Sequence, residues 1–129
     1  MHVLVYGETH DMRSLLRQAA ALFSPTVITV HSLVIDALRQ LAEMPPPDLV
    51  LVAEDIGESE SPDGPEQMHH DHVLIAARRR GVSAVMLGRW QQSGAVYGAP
   101  VVPELGPLWR EHTLRRLQVT MREALLGVA

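Results

Sequence analysis

What most limits the fold is a repeated switch in hydrophobic periodicity. Short apolar runs alternate with stretches whose apolar residues recur every three or four positions. Val3-Leu4-Val5-Tyr6 is the first run, ended by Gly7. Met12, Leu15, Leu16, Ala19, Leu22 and Phe23 then share one helical stripe, with Thr9 or Asp11 as cap and Pro25 closing the segment. Thr26-Val27-Ile28-Thr29-Val30 is β-branched throughout and reads as a second strand. The helix after it is expected to bury Val34, Ala37, Leu38, Leu41 and Met44, and Pro45-Pro46-Pro47 stops it. Asp48 to Ala53 is a third strand, apolar enough to be covered on both faces.

Residues 56–66 read as an acidic loop, and a third helix is expected from Glu66 to Arg80, ended by Gly81. Val82 to Leu87 is a fourth strand ended by Gly88. Arg89 to Ala99 is short and broken by glycine, which leaves little room for a helix. Pro100-Val101-Val102-Pro103 reads as a fifth, edge strand, where proline is tolerated. A last helix over Pro107 to Leu126 would turn Leu114, Leu117, Met121, Ala124 and Leu125 inward.

Such alternation implies right-handed βαβ units, and so a mostly parallel five-stranded sheet between two helix layers. The 129 residues suffice for one domain over 1–129 and not for two independent cores. With 47% hydrophobic and 4% aromatic residues, the core must be aliphatic. Sheets of this kind bind ligands at the carboxyl ends of their strands, near the point where strand order reverses. The residues to weigh are therefore Gly7-Glu8, Ala53-Glu54-Asp55, Gly88-Arg89 and Val102-Pro103.

Composition removes several chemistries. There is no cysteine, which excludes thiol catalysis, cysteine-ligated zinc and disulfides. All eleven basic residues are arginine, so no Schiff-base or phosphate-loop lysine exists. A net charge of −4 argues against direct nucleic-acid binding. No run approaches the ~20 apolar residues of a membrane span, and a soluble cytoplasmic protein is expected. No G-x-S-x-G elbow or glycine-rich phosphate fingerprint is present.

The order of these segments resembles the receiver domain of bacterial two-component response regulators, over essentially the whole chain. VLVYGETHDMRSLL is similar to that family's first strand, acidic pair and first helix, and PPDLVLVAED to the third strand that carries its phosphoryl-accepting aspartate. The PDG at Pro62–Gly64 resembles the turn before the third helix, VSAVMLG the fourth strand, and Val102-Pro103 stands where a Lys-Pro pair ends the fifth. The resemblance implies an α/β three-layer sandwich of the receiver/flavodoxin-like kind, here with a short or missing fourth helix.

It also implies where the chemistry should be, and there the sequence departs. The acidic pair becomes Gly7-Glu8, the nucleophile position falls on Ala53, the hydroxyl position on Gly88 and the lysine position on Val102. A methyl group accepts no phosphoryl group, and without the lysine nothing there neutralises its charge. The expectation is a pseudo-receiver with no catalytic residues, a non-phosphorylated signalling module acting through protein–protein contacts, with a homodimer as one partner. Two alternatives stay open. A small molecule or metal could occupy a strand-end pocket enlarged at Ala53 and Gly88. Or Asp55, one alternation after Ala53, could serve as the acceptor, with Glu8 and Asp55 holding Mg²⁺.

Three further clusters stand out. His69, His70 and His72 flank Asp71, and His69 and His72 would share a helix face; the choice is between a metal site and a polar first turn. Arg78-Arg79-Arg80 closes the third helix, where cations complement the helix dipole. Trp90, Tyr97 and Trp109 fall in the last third of the chain, either as an interaction surface or as cover for the sheet edge.

Overall fold

The computed structural model describes residues 1–7, 10–21, 27–54, 65–88, 95–96, 98–103 and 106–126. Six strands, β1 (His2–Tyr6), β2 (Val27–His31), β3 (Leu49–Glu54), β4 (Ser83–Gly88), β5 (Ala95–Val96) and β6 (Ala99–Pro103), form one sheet in the order β2-β1-β3-β4-β6-β5. The helices are α1 (His10–Ala20), α2 (Val34–Leu41), α3 (Pro65–Arg79) and α4 (Arg110–Leu126), the last preceded by a 3-10 turn at Pro107–Trp109. Five strands pair in parallel as expected, and β5 pairs antiparallel with β6.

Two apolar layers hold this sheet. Val3, Val5, Leu51, Ala53, Leu87 and Val102 pack with Leu15 and Leu16 of α1 and Leu117 and Met121 of α4. On the opposite face Leu4, Tyr6, Val50, Val52 and Met86 pack with Ala37 and Leu41 of α2 and Val73, Leu74 and Ala77 of α3. Being covered on both faces explains why β1 and β3 are continuous apolar runs. Edge strand β2 has one side without a strand neighbour, and so tolerates Thr29 and His31.

Polar contacts tie α2 to that edge. Gln40 donates from Nε2 to the His2 ring at 2.9 Å and to the Thr29 hydroxyl at 3.3 Å, and its Oε1 accepts from His31 Nε2. At the other end of α2, Arg80 Nε donates to the Leu41 carbonyl at 2.9 Å and Nη2 to that of Glu43 at 3.2 Å. The Leu41 carbonyl is one that the helix end leaves unsatisfied, and the Glu43 carbonyl lies in the turn just beyond it. Helix α3 stops in a Schellman turn. Gly81 adopts φ 71°, its amide donates to Arg78 at 3.1 Å, and the Val82 amide donates to Ala77 at 2.9 Å.

Three expectations need correction. Met44 is 79% exposed, because α2 ends at Leu41 and the chain has turned away before reaching it. The strand at Ala99–Pro103 is not the edge, since Ala95–Val96 pairs on its outer side. The last helix begins at Arg110, with Pro107–Trp109 as a tighter turn ahead of it. Leu22, Phe23, Thr9 and the acidic segment from Asp55 to Gly64 lie outside the described residues. Among the described residues no helix lies between β4 and β6, and no helix is long and apolar enough to cross a membrane.

Candidate functional site

The parallel register brings the four strand ends together. Tyr6, Val52, Met86 and Val101 form one row across β1, β3, β4 and β6. The next row runs Ala53, Leu87, Val102, with Gly7 one residue past the Tyr6–Val52 pair, and the one beyond it Glu54, Gly88, Pro103. Gly7 continues the ladder past β1, its amide donating to the His31 carbonyl at 3.2 Å. Strand order reverses between β1 and β3, so Gly7 and Ala53 flank the switch point where such sheets bind ligands.

Gly7, Ala53 and Val102 thus stand near one another at the strand ends, with Gly88 one position further along β4. Their surroundings are apolar. Ala53 has 0% and Val102 2% of its surface exposed, and both belong to the aliphatic cluster that also holds Leu87, Val5 and Leu117. Methyl and isopropyl groups fill these positions, and none of them can accept a phosphoryl group or ligate a cation. Glu8 and Asp55, the residues weighed for Mg²⁺, lie outside the described residues, as do Trp90 and Tyr97.

The other candidates are dispersed. His69 and His70 lie on α3 with side chains outside the described set, while His72 is exposed. Among the described residues no three metal-ligating side chains group together. Trp109 is 56% exposed beside the 96% exposed Leu108, and its ring meets that of His112 edge-on, with centroids 6.2 Å apart.

Two features escaped the sequence reading. Thr113, one turn ahead of Leu117 on α4, is fully buried, and its hydroxyl has no partner among the described residues. Its spacing of four from Leu117 was the available signal. The second is an apolar groove of about 500 Å³ between α2 and α3, away from the strand ends. Only the half-buried stripe on each helix hinted at it.

No protein-family model matches the chain, and no curated protein matches its sequence. Solved structures do resemble it. The response regulator domain of Thermotoga maritima CheB superposes with a TM-score of 0.72 at 15% identity, covering 98% of this chain and 96% of that one. The N-terminal domain of a response regulator/sensory box/GGDEF three-domain protein from Carboxydothermus hydrogenoformans gives 0.63 at 10% identity, covering both chains fully (100% and 100%). A two component transcriptional regulator AraC from Clostridium phytofermentans gives 0.61 at 13% identity, over 98% and 96%. With so little identity, the likeness reaches the architecture and not the chemistry: this chain has the receiver fold.

Proposed function

We propose that this domain is a receiver-like signalling module that works without phosphotransfer, through protein–protein contact, with a second copy of itself as partner. The observation that carries this proposal is the burial of Ala53, Leu87 and Val102 in one aliphatic cluster at the carboxyl ends of β3, β4 and β6. Phosphorylation of an aspartate needs the carboxylate, a hard cation held by further oxygens, and a positive group to pair with the added charge. At the expected nucleophile and lysine positions Ala53 and Val102 supply a methyl and an isopropyl group, packed in one cluster with the isobutyl group of Leu87. The same burial argues against a ligand pocket at Ala53. The signalling part rests on likeness in fold to proteins described as response regulators.

Contact surface is available at the start of α4. Leu108 and Trp109 project from the 3-10 turn, and a shallow cavity of about 250 Å³ between them and Glu111, His112 and Arg115 can receive a side chain. Tryptophan is a favoured interface anchor, and here it stands exposed.

The test is an amide NMR titration with Mg²⁺ and then beryllofluoride, a phosphoryl mimic. Unchanged resonances for Gly7, Ala53 and Gly88 are expected. Saturable shifts at those residues that disappear in Asp55→Ala would overturn the proposal and make Asp55 a phosphoryl acceptor.

A further inference from the structure

We propose that the groove between α2 and α3 binds a free amphiphilic anion, a medium-chain carboxylate whose aliphatic body lies on the groove floor and whose head pairs with Arg79. Leu38 and Leu41 of α2 and its C-cap Ala42 form one wall, and Ile75 and Ala76 of α3 the other. His72 stands along this same face of α3, and Arg79 and Arg80 mark its C-terminal end. The volume of about 500 Å³ lies within the range of about 300–1,000 Å³ usual for small-molecule sites.

Charge selects the ligand class. Among the described residues no carboxylate lines the groove, and the charged side chains there are both guanidinium groups, in a chain whose net charge is −4. The two arginines differ. Arg80 is committed to the Leu41 and Glu43 carbonyls and to Met44 Sδ, so it locks the end of α2 against α3. Arg79 is exposed, and among the described residues nothing pairs with it. A carboxylate there gains a charge-assisted hydrogen bond, while its chain covers aliphatic surface that is otherwise wet.

His72, Ile75, Ala76 and Arg79 stand at i, i+3, i+4 and i+7 along this face of α3, a rise of roughly 10 Å at 1.5 Å per residue, which an extended medium-chain carboxylate matches. Helix α3 ends just before β4 begins, so the arginines lie at the amino-terminal ends of the strands, opposite Gly7 and Ala53. This site is therefore separate from the strand-end row.

The whole chain would be titrated with octanoate, 1-octanol and acetate, following amide resonances. Octanoate is expected to shift residues 38–42 and 72–80 saturably. 1-Octanol should bind roughly tenfold more weakly and acetate without saturation. Arg79→Ala should bring octanoate down to the level of 1-octanol and leave 1-octanol unchanged. Ala42→Trp, at an exposed wall position, should fill the groove and abolish both. Equal binding of octanoate and 1-octanol, octanoate binding undiminished in either variant, or shifts outside α2 and α3 would overturn the proposal. So would capture by anionic phospholipid vesicles without binding of monomeric octanoate, which would make this a membrane-facing surface instead.

Discussion

Ala53 on β3 lies directly beside Leu87 on β4, and neither side chain has exposed surface. A carboxylate placed there would sit in a cluster shared with Leu51, Val85 and Val102. Burial disfavours its charged form, so its pKa would be higher in the folded than in the unfolded chain. A group raised in this way costs least in acid, and stability falls as pH rises through the unfolded value of ~3.9. Ala53→Asp is therefore expected to lose about 2–4 kcal/mol at neutral pH and less at about pH 4. Urea unfolding at the two pH values checks this. A variant as stable as wild type at neutral pH would mean that the strand ends are hydrated.

Gln40 bridges two elements that the chain separates by many residues, receiving from His31 and donating to His2. Gln40→Leu removes these two bonds and the longer one to the Thr29 hydroxyl while keeping most of the side-chain volume. The network is part-buried, so water recovers some of the loss, and a cost of about 1 kcal/mol is expected. Hydrogen exchange localises it: α2 amides should exchange faster while those of α4 stay unchanged. Uniform acceleration would mean that the network is not a local tether.

The boundary between what was legible in the sequence and what was not follows the range of the interactions. The runs at Val3–Tyr6 and Leu49–Ala53 are readable because burial on both faces forces every residue to be apolar. The stripes of α1 and α4 are readable because a helix repeats its buried face. The gathering of Gly7, Ala53, Gly88 and Val102 followed from parallel register. Their dry packing did not, because Ala53 and Val102 are compatible with a void as well as with a filled core. Ala95–Val96 forms a strand only because β6 offers it an edge, and two residues carry no periodicity. Arg80 looked like a complement to the dipole of its own helix, yet it closes the end of α2, a contact thirty-nine positions away in sequence.

Helix α2 begins without a side-chain cap. Leu33 occupies the N-cap with φ −106° and ψ 132°, makes no capping hydrogen bond, and is exposed. That backbone geometry suits a serine, whose hydroxyl can accept from the free amides of the first turn. Leu33→Ser is expected to stabilise the fold by about 0.5–1 kcal/mol, with Asp36 three residues on completing a capping box. Chemical denaturation checks this. A loss of stability would mean that Leu33 has an apolar role on the surface.

Gly81 presents a case where space and conformation give different answers. A Cβ there would meet nothing within 4 Å, yet the residue holds φ 71° to close the Schellman turn. Gly81→Ala is expected to cost about 1 kcal/mol from backbone strain alone. Gly81→Asn should recover part of that, since asparagine tolerates the left-handed region better. If alanine were neutral in denaturation experiments, the Val82-to-Ala77 bond would not be what sets the end of α3.

Trp109 separates a role in folding from one in association. Its ring is more than half exposed and touches His112 edge-on, so removing it takes little from the core. Trp109→Ala is expected to change unfolding free energy by less than about 0.5 kcal/mol, as for ordinary surface positions. If Leu108 and Trp109 anchor a dimer, the same change weakens self-association by roughly 30-fold, the effect of losing about 2 kcal/mol at an interface hot spot. Sedimentation equilibrium on wild type and variant reads the association, and urea unfolding reads the stability. Weaker dimerisation at constant stability is the expected pair of results. A wild-type protein that stays monomeric at the highest concentration examined removes self-association from the proposed function and leaves this surface to a different protein. A large loss of stability would instead mean that the indole covers the turn into α4, and that its exposed face is incidental.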